Sequence, residues 1–379
     1  MLSSLKRVLN EAPRLKGIGR KGAEVKDTSL TVIVPTYNEQ YNIEKCLLTL
    51  LNSTNPCKTW NILLVDDSST DKTLMVASKV QLESKADKNR LQIIHAGDRP
   101  KDKRWVGKNW PCFQGSQQTN SSWILFLDAD VEIARDTLKR ALTEAIDESY
   151  DLLSLAPRIT CSCASEWMVQ PIIACLLAIG FPINKTNNPN DETAFAAGPF
   201  MLFRQSAYNS VGGHHKVAGE VVEDLALARL IKTSGYKLQF SLGLDSVRLG
   251  MYSNLKSLWE GWSKNWFIGL DRNVNKALFA SLVVFWIFSL PWIIIPFTIV
   301  ASRLGLYSFQ PALISVILAI IAILLQYLLR KWCKDNFDLP IKYWYLMSLG
   351  GIILGCIGPV SIMKTITGKG WTWKGRNLA

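Results

Sequence analysis

The chain has 379 residues and a formal net charge of +12. Three windows near its C-terminus contain no charged residue, and each reaches the roughly 20 residues needed to cross a bilayer core: Ala277–Ser302, Leu304–Leu329 and Tyr343–Met363. The alternative is three buried helices of a soluble protein, but neighbouring charge-free windows of this length are rare in soluble cores. Length and composition therefore indicate one large N-terminal domain followed by a membrane region.

The basic residues are concentrated at the two ends of the chain. Residues 1–26 carry a net charge of +5 and residues 330–379 one of +6, which leaves +1 for the middle. A nucleic-acid-binding protein more often carries its basic residues on the folded domain, so this distribution argues against nucleic acid as a partner. Basic flanks beside membrane segments instead indicate contact with anionic lipid headgroups on the cytoplasmic side.

The N-terminus and the cysteines indicate where the large domain resides. No apolar stretch typical of a signal peptide opens the sequence, so we expect this domain to stay cytoplasmic at the plasma membrane. None of the eight cysteines has CxxC spacing. We therefore expect reduced thiols without a metal or redox role.

Predicted strands and helices alternate in the first half of the chain. "SLTVIVPTYNE" predicts a strand over Thr31–Val34 that ends at Pro35, and "YNIEKCLLTLLNS" has the apolar spacing of an amphipathic helix. Three further apolar strands are predicted in "WNILLVDDSSTDKT", "LQIIHAG" and "WILFLDADV", the first of them followed by a helix near Thr70. This alternation predicts a parallel sheet of α/β type, with ligands bound beyond the carboxyl ends of its strands.

The motif Asp128-Ala-Asp130 ends a buried strand. Two carboxylates one residue apart can hold a hard divalent cation, and Mg²⁺ and Mn²⁺ sites are commonly completed by substrate phosphates. Such a cation neutralises charge on a leaving diphosphate. An ordinary strand-to-turn junction can also contain this motif, so its position beside other acidic strand ends supports the metal site.

Two other motifs point to the same edge of the sheet. Asp66 and Asp67 follow a buried strand and can accept hydrogen bonds from a nucleobase or ribose, a role for which Asp67 is favoured. A helix N-cap formed by Ser69 or Asp71 is the alternative. In "WVGKNW", Lys108 can bind phosphate as a point charge, although a solvated loop lysine fits this position equally well.

The acidic pair Glu223 and Asp224 leads into a predicted helix. Acids in a first turn are favoured by the helix dipole alone. The sharper interpretation makes Asp224 the base that deprotonates an acceptor hydroxyl, with Glu223 as a supporting or acceptor contact.

Weaker candidates follow and precede this pair. Gly198 would let a sugar or lipid head approach the backbone, and His214 or His215 would reach the metal or diphosphate, with ordinary turn residues as the alternative. In "LWEGWSKNWFIGL", the spacing of the tryptophans predicts an amphipathic helix in an aromatic interfacial belt. Trp262 and Lys264 of this segment are weak candidates for the acceptor or diphosphate. Residues 167–183 predict an interfacial helix or hairpin, with a buried core helix as the alternative.

Six motifs occur in order: "TVIVPTYNE", "LLVDDSSTD", "GK", "FLDADV", "GPFMLFRQSAY…VGGH" and "EDLALARLIKTSGYKL". Together they resemble the family 2 nucleotide-sugar glycosyltransferases, in particular the membrane-attached branch with hopene-associated and carotenoid-acid glycosyltransferases. The resemblance covers residues 28–270 and extends through the apolar segments to the "WTWKGR" tail. It implies a Rossmann-like nucleotide-diphospho-sugar transferase domain of GT-A type with C-terminal transmembrane helices.

The resemblance also implies roles for single residues. Pro35, Tyr37, Glu39 and Asp67 would line the nucleoside, Asp128 and Asp130 would meet Mn²⁺ or Mg²⁺ and the diphosphate, and Asp224 would be the base of an inverting transfer. Where processive polysaccharide synthases of the family carry a Q-x-x-R-W motif, this chain has "WEGWSKN". That departure lowers the expectation of polymer synthesis.

The expected function is transfer of one hexose from a nucleotide-diphosphate sugar, a UDP-sugar in the first instance, to a hydrophobic lipid acceptor at the membrane. A polysaccharide synthase and a catalytically inactive nucleotide-binding scaffold remain as alternatives. The expected organisation is a basic arm (1–28), a catalytic domain (29–275), a transmembrane region (276–364) and a basic tail (365–379).

Three full spans would place the basic tail outside the cell, against the positive-inside tendency. We therefore predict that one segment does not cross. The candidates are Ala277–Ser302, with Pro291 and Pro296, and the glycine-rich Tyr343–Met363.

Overall fold

The computed structural model describes residues 12–17, 25, 28–84, 90–337, 339–368, 372–373 and 376–377. The chain forms two compact units. The α/β unit comprises the described residues within Lys6–Arg158 and Gly180–Gly250, and the helical unit comprises those within Ile159–Ile179 and Met251–Ala379. Most of the predicted basic arm, together with Lys369 and Lys374 of the tail, lies outside the described residues.

Strands and helices alternate through the α/β unit. Its strands are β1 to β10: Ser29–Thr36, Thr59–Asp66, Leu91–His95, Trp123–Leu127, Val131–Ile133, Leu152–Ala156, Arg158–Ile159, Phe200–Arg204, Leu238–Leu242 and Val247–Leu249. Helices α1 to α4 are Ile43–Leu51, Thr73–Glu83, Asn109–Gln117 and Thr137–Asp147, and α6 to α9 are Ile183–Asn187, Gln205–Ser210, Gly213–Lys216 and Glu223–Thr233.

The main sheet has seven strands in the order β3-β2-β1-β4-β8-β6-β9. The first four are parallel, as the alternation predicts. The sheet as a whole is mixed, because β8 runs antiparallel to β4 and β6. The continuous apolar run of β8 suits a strand covered on both faces, but such a run does not encode strand direction.

Strand β1 does not end at Pro35, as predicted, but continues through it to Thr36. Its pairing with β4 ends at Ile33, whereas its pairing with β2 includes Pro35 opposite Val65. Beyond Ile33, β1 therefore has one paired neighbour, and the missing N–H of Pro35 can face the unpaired side.

A short part of the N-terminal arm, residues 12–17, pairs with β9 at the edge of the sheet. The N–H of Leu15 donates to the carbonyl of Leu242 at 3.1 Å, and the N–H of Leu242 donates to Pro13 at 2.8 Å. Arg140 donates to the carbonyl oxygens of Leu15 and Lys16. This segment lies beside edge strand β9, pairs with it through an isolated parallel bridge, and covers part of its edge.

The helical unit contains α5 and the C-terminal helices α10 to α14: Ala164–Gly180, Leu255–Gly269, Val274–Phe288, Leu290–Arg303, Phe309–Phe337 and Met347–Thr367. A 3₁₀ turn, Trp344–Leu346, leads into α14, and the short strands Thr372–Trp373 and Arg376–Asn377 follow it. Helix α13 and the stretch Trp344–Thr367 are long and apolar enough to cross a membrane. Helices α11 and α12 are bent by 56° and make a third span only if they are counted together.

Two details of the helical unit differ from the sequence predictions. The break in the first apolar window falls at Ser289, ahead of Pro291, and Pro296 lies inside α12. The predicted aromatic belt is wrong for Trp262 and Trp266, because both are buried in the protein. Their indole N–H groups donate to Gln170 and to the carbonyl of Ala277.

Residues 164–180 form one continuous helix that contains Pro171. Its first turn carries Glu166, which is fully buried and accepts hydrogen bonds from the backbone N–H groups of Ser162 and Tyr252. A Cβ added at Gly350 of α14 would lie 1.9 Å from the carbonyl oxygen of Met168. Helix α5 therefore packs closely against α14.

Candidate active site

The carboxyl ends of β1, β2 and β4 meet at one edge of the sheet, because β1 lies between the other two and is parallel to both. The loops that follow β1 and β2 leave this edge and are joined to each other by hydrogen bonds. The N–H groups of Asn38 and Glu39 donate to the hydroxyls of Ser69 and Thr73 at 3.0 and 2.7 Å. Asp71 accepts from the N–H of Gln40. The polar run after β2 thus fixes the loop after β1, which carries the predicted residues Tyr37 and Glu39. Pro35 lies near the end of β1 at the same edge.

Asp66 and Asp67 are both buried, but they have different partners. Asp67 forms an ion pair with Arg99 at 2.5 Å. Asp66 accepts from the N–H of Ser69, whereas its Oδ1 has no hydrogen-bond partner among the described residues. A buried acceptor without a partner is costly. Asp66 therefore carries a buried acceptor atom without a partner among the described residues, and the role that the sequence favoured for Asp67 stays a prediction.

Sequence reasoning missed Arg99. Besides the ion pair with Asp67, its guanidinium donates to the carbonyl oxygens of Trp105 and Gly107 at 2.8 and 2.9 Å. It thereby fixes the loop that leads to Lys108. In "GDRPKDKRW" nothing distinguishes Arg99 from the other basic residues of the same loop.

Lys108 precedes α3 and contacts two acids from distant parts of the chain. Its Nζ is paired with Oδ1 of Asp128 and lies 3.2 Å from Oε1 of Glu223. Burial alone would lower the pKa of Lys108, but the charges of Asp128 and Glu223 outweigh it and raise this pKa well above its ordinary value. The interpretation of Lys108 as a solvated loop lysine is wrong, since 19% of its side chain is exposed.

Asp224 is held by backbone N–H groups at the start of α9. Its Oδ2 accepts from Gly198 at 3.0 Å and its Oδ1 accepts from Leu225 at 2.8 Å. Burial, followed by the neighbouring charge of Glu223, raises the pKa of Asp224 to about 6. A carboxylate with this pKa is suited to accept a proton near neutral pH.

Gly198 lies next to this carboxylate. A Cβ at Gly198 would lie 2.9 Å from Oδ2 of Asp224, closer than real Cβ contacts allow. The absence of a side chain at Gly198 thus makes room for Asp224.

Three weaker candidates remain: His214, Trp262 and Lys264. His214 is in the interior, where its Nδ1 is 2.8 Å from the Tyr208 hydroxyl and its ring lies edge-on to Phe126. Burial lowers the pKa of His214 to about 3, so the ring is neutral at physiological pH. Trp262 and Lys264 belong to the helical unit. Their predicted roles stay predictions.

The donor set suits a hard divalent cation only in part. Asp128 and Asp130 offer carboxylate oxygens, which Mg²⁺ and Mn²⁺ favour. Among the described residues, no group of three or more acids, histidines or cysteines is arranged to hold a metal ion. A cation bound between Asp128 and Asp130 would therefore need further oxygens from a ligand such as a diphosphate.

Comparison with known proteins identifies the family. The model for "Glycosyl transferase family 2" matches residues 31–212, and that for "Glycosyl transferase family group 2" matches residues 123–329, more than half of the chain. The chain belongs to the family 2 glycosyltransferases and is a glycosyltransferase. The expected α/β transferase fold with apolar C-terminal helices is confirmed.

Among curated relatives, the chain is similar to 4,4'-diaponeurosporenoate glycosyltransferase of Staphylococcus aureus strain MRSA252. The two are 25% identical over 284 residues, which cover 74% of this chain and 71% of the relative. The predicted resemblance to carotenoid-acid glycosyltransferases is thus confirmed.

Two solved structures are also similar. Mannosyltransferase PcManGT from Pyrobaculum calidifontis, in complex with GDP-Man and Mn²⁺, matches with a TM-score of 0.49 and 15% identity over 97% of this chain and 95% of that chain. Residues 1–349 of S. aureus TarS in complex with UDP match with a TM-score of 0.41 and 15% identity over 92% and 95% of the two chains.

Proposed function

We propose that this glycosyltransferase is membrane-bound and inverting, and that it moves one hexose from a nucleotide-diphosphate sugar to a hydrophobic lipid acceptor. The observation that carries the proposal is Asp224, whose carboxylate is fixed by two backbone N–H groups and has a pKa of about 6. Such a group serves as a general base at neutral pH.

On the donor side, the chain supplies acceptor atoms and positive charge. Asp66 offers a buried oxygen to the nucleoside, and the ammonium group of Lys108 offers positive charge to the diphosphate. Asp128 and Asp130 would hold Mn²⁺ or Mg²⁺. The bound cation supplies neutralisation of the charge that develops on the leaving diphosphate.

On the acceptor side, Asp224 removes the proton of the acceptor hydroxyl while the hydroxyl oxygen forms a bond to the anomeric carbon. The bond from this carbon to the diphosphate breaks on the opposite face, which inverts the configuration. A carboxylic acid acceptor is already ionised at neutral pH. For such an acceptor Asp224 would not need to take a proton.

The lipid acceptor is supported by the apolar helices and by the relative whose name specifies a carotenoid acid. Two candidate membrane helices indicate membrane association. We propose a multi-pass protein of the plasma membrane with its catalytic domain, residues 29–275, in the cytoplasm. The bent pair α11 and α12 supports a segment that does not fully cross. A C-terminal tag cleaved only by protease added outside the cell would contradict this topology.

Membranes that contain wild type or Asp224→Asn, fed radiolabelled UDP- and GDP-hexoses with Mn²⁺, test the function. We expect label in the organic-extractable fraction, lower by a factor of about 10² to 10⁴ for Asp224→Asn with a hydroxyl acceptor. Donor binding, measured with the labelled nucleotide, should be retained in the variant. Label in an insoluble polymer would favour a polysaccharide synthase. Full activity of Asp224→Asn on a hydroxyl acceptor would contradict the role of this base.

A further inference from the structure

One partly buried lysine connects the two acidic motifs of the cleft. Lys108 Nζ is paired with Oδ1 of Asp128 and lies 3.2 Å from Oε1 of Glu223. Asp128 belongs to the motif proposed to hold the cation, and Glu223 is adjacent to the proposed base. The exposed fractions of the three side chains are 19%, 26% and 14%, so water screens this cluster only in part.

Lys108 competes with a divalent cation for the carboxylate of Asp128. A cation needs its ligand oxygens at about 2.0 to 2.2 Å, whereas Oδ1 is already in contact with the ammonium group. The charges of Lys108 and the cation also repel each other at this range, by enough to change an affinity by about tenfold or more even with strong solvent screening.

A nucleotide diphosphate changes this balance. It brings negative oxygens that can accept from Lys108 and can also complete the ligand shell of the cation. With a diphosphate present, Lys108 can leave Asp128 without losing a negatively charged partner.

We propose that Lys108 is a positioning residue that occupies the cation's place at Asp128 and makes cation binding depend on the donor. The inference rests on the proposed function for its choice of ligands. In the donor-free protein, Lys108 holds Asp128 and Glu223 together and keeps the cation affinity low. When the diphosphate binds, Lys108 transfers to it, Asp128 turns to the cation, and Glu223 is released beside Asp224.

The same coupling acts in both directions. If the nucleotide raises the affinity for the cation by some factor, the cation raises the affinity for the nucleotide by that factor. Removal of Lys108 should therefore raise the affinity for the cation alone and reduce the mutual enhancement.

Free Mn²⁺ measured by electron paramagnetic resonance tests this inference on the full-length protein in detergent, alone and with UDP or GDP. We expect Lys108→Met to bind Mn²⁺ alone about tenfold more tightly than wild type. The enhancement by nucleotide should shrink by a similar factor. Lys108→Arg keeps the charge and should retain the donor dependence.

Two controls separate this effect from damage to the fold. Lys103→Met removes a positive charge from the same loop, at a side chain that contacts His215, and should bind Mn²⁺ as wild type does. The double variant Lys108→Met with Glu223→Gln removes one charge of each sign and should still bind Mn²⁺ alone more tightly than wild type.

The inference is wrong if Lys108→Met binds Mn²⁺ no more tightly than wild type, or if its enhancement by nucleotide is unchanged. It is also wrong if wild type binds no Mn²⁺ even with UDP or GDP. Asp224→Asn distinguishes the two proposals, since it should lose transfer but keep the nucleotide-dependent affinity for Mn²⁺. An active Asp224→Asn combined with the expected Lys108→Met result would reject the base and leave the role of Lys108 standing.

Discussion

Selected polar side chains of the two units have different kinds of partner. In the α/β unit, two acids that follow β2 and β4 form ion pairs with cations of one loop: Asp67 with Arg99, and Asp128 with Lys108. In the helical unit, the buried carboxylate of Glu166 is satisfied by backbone N–H groups. The buried Gln326 likewise bonds to the carbonyl of Ile287 and the indole of Trp292.

The difference reflects what each unit has to do. A charge held by another charge can be transferred to a charged ligand. Under the proposed function, the ion pairs of the cleft would be exchanged for contacts with a diphosphate and a cation. An apolar bundle gains nothing from such exchange, and an unsatisfied polar atom inside it is costly. The glycines of α14 let neighbouring helices approach closely.

The largest effect is expected from breaking a buried ion pair of the cleft. Arg99→Gln leaves Asp67 buried without its cation and should destabilise the protein by about 3 kcal/mol. The double variant Arg99→Gln with Asp67→Asn should recover much of that loss, because no unpaired charge remains. Thermal unfolding of the purified protein in detergent measures both.

An exposed pair in the helical unit provides the matched control. Lys276 lies 3.8 Å from Asp271, and both side chains are more than half exposed. Lys276→Ala should change stability by less than about 0.5 kcal/mol. Equal losses for Arg99→Gln and for its double variant would show that the pair's charge is not the cause.

A smaller loss is expected from disturbing the close packing of the helical unit. The Cβ of Gly350→Ala would lie 1.9 Å from the backbone oxygen of Met168, which cannot turn aside as a side chain can. We expect a loss of about 2 kcal/mol.

The matched control lies in the same helix. A Cβ at Gly355 would have its nearest neighbour at 3.5 Å, an ordinary contact. Gly355→Ala should therefore be neutral or slightly stabilising by thermal unfolding in detergent. If Gly350→Ala melts at the same temperature as Gly355→Ala, the close approach of α14 and α5 is not needed for stability.

The sequence was most informative where local pattern and position agree. Continuous apolar runs predicted β1, β2 and β4, and the rule that parallel strands bind ligands at their carboxyl ends placed Asp66 and Asp128 at one edge. It was least informative about partners far apart in sequence. The pairing of Asp67 with Arg99 depends on a loop conformation that no local pattern encodes.

The helical unit shows a second limit. The spacing of Trp259, Trp262 and Trp266 predicts an amphipathic helix, but the apolar face of such a helix suits a lipid interface and a neighbouring helix equally well. In the structure Trp262 contacts a neighbouring helix: its indole N–H donates to Gln170 of α5. The direction of β8 was likewise open, since apolar composition is the same for parallel and antiparallel neighbours.

The smallest and most diagnostic effect concerns the pH dependence of Asp224. Because its pKa is about 6 in the folded protein, turnover of a hydroxyl acceptor should fall about tenfold per pH unit below that value. With a carboxylate acceptor, turnover should not fall in this way below about pH 6, since that acceptor needs no base. Initial rates with both acceptor types over the same pH range measure the contrast.

Stability should respond to pH in the opposite sense. The folded pKa of Asp224 lies above the ordinary value of 3.8, so its ionisation is harder in the folded protein than in the unfolded chain. The stability that Asp224 contributes at low pH is therefore lost as pH rises from about 4 through 6. Asp224→Asn cannot ionise, so it should melt at a higher temperature than wild type at about pH 8 and at the same temperature near about pH 4, with a gain of about 1 kcal/mol after allowance for solvent screening. A wild type that melts higher than the variant at the alkaline end would mean that the ionised carboxylate is stabilised in the fold, and the raised pKa would be wrong.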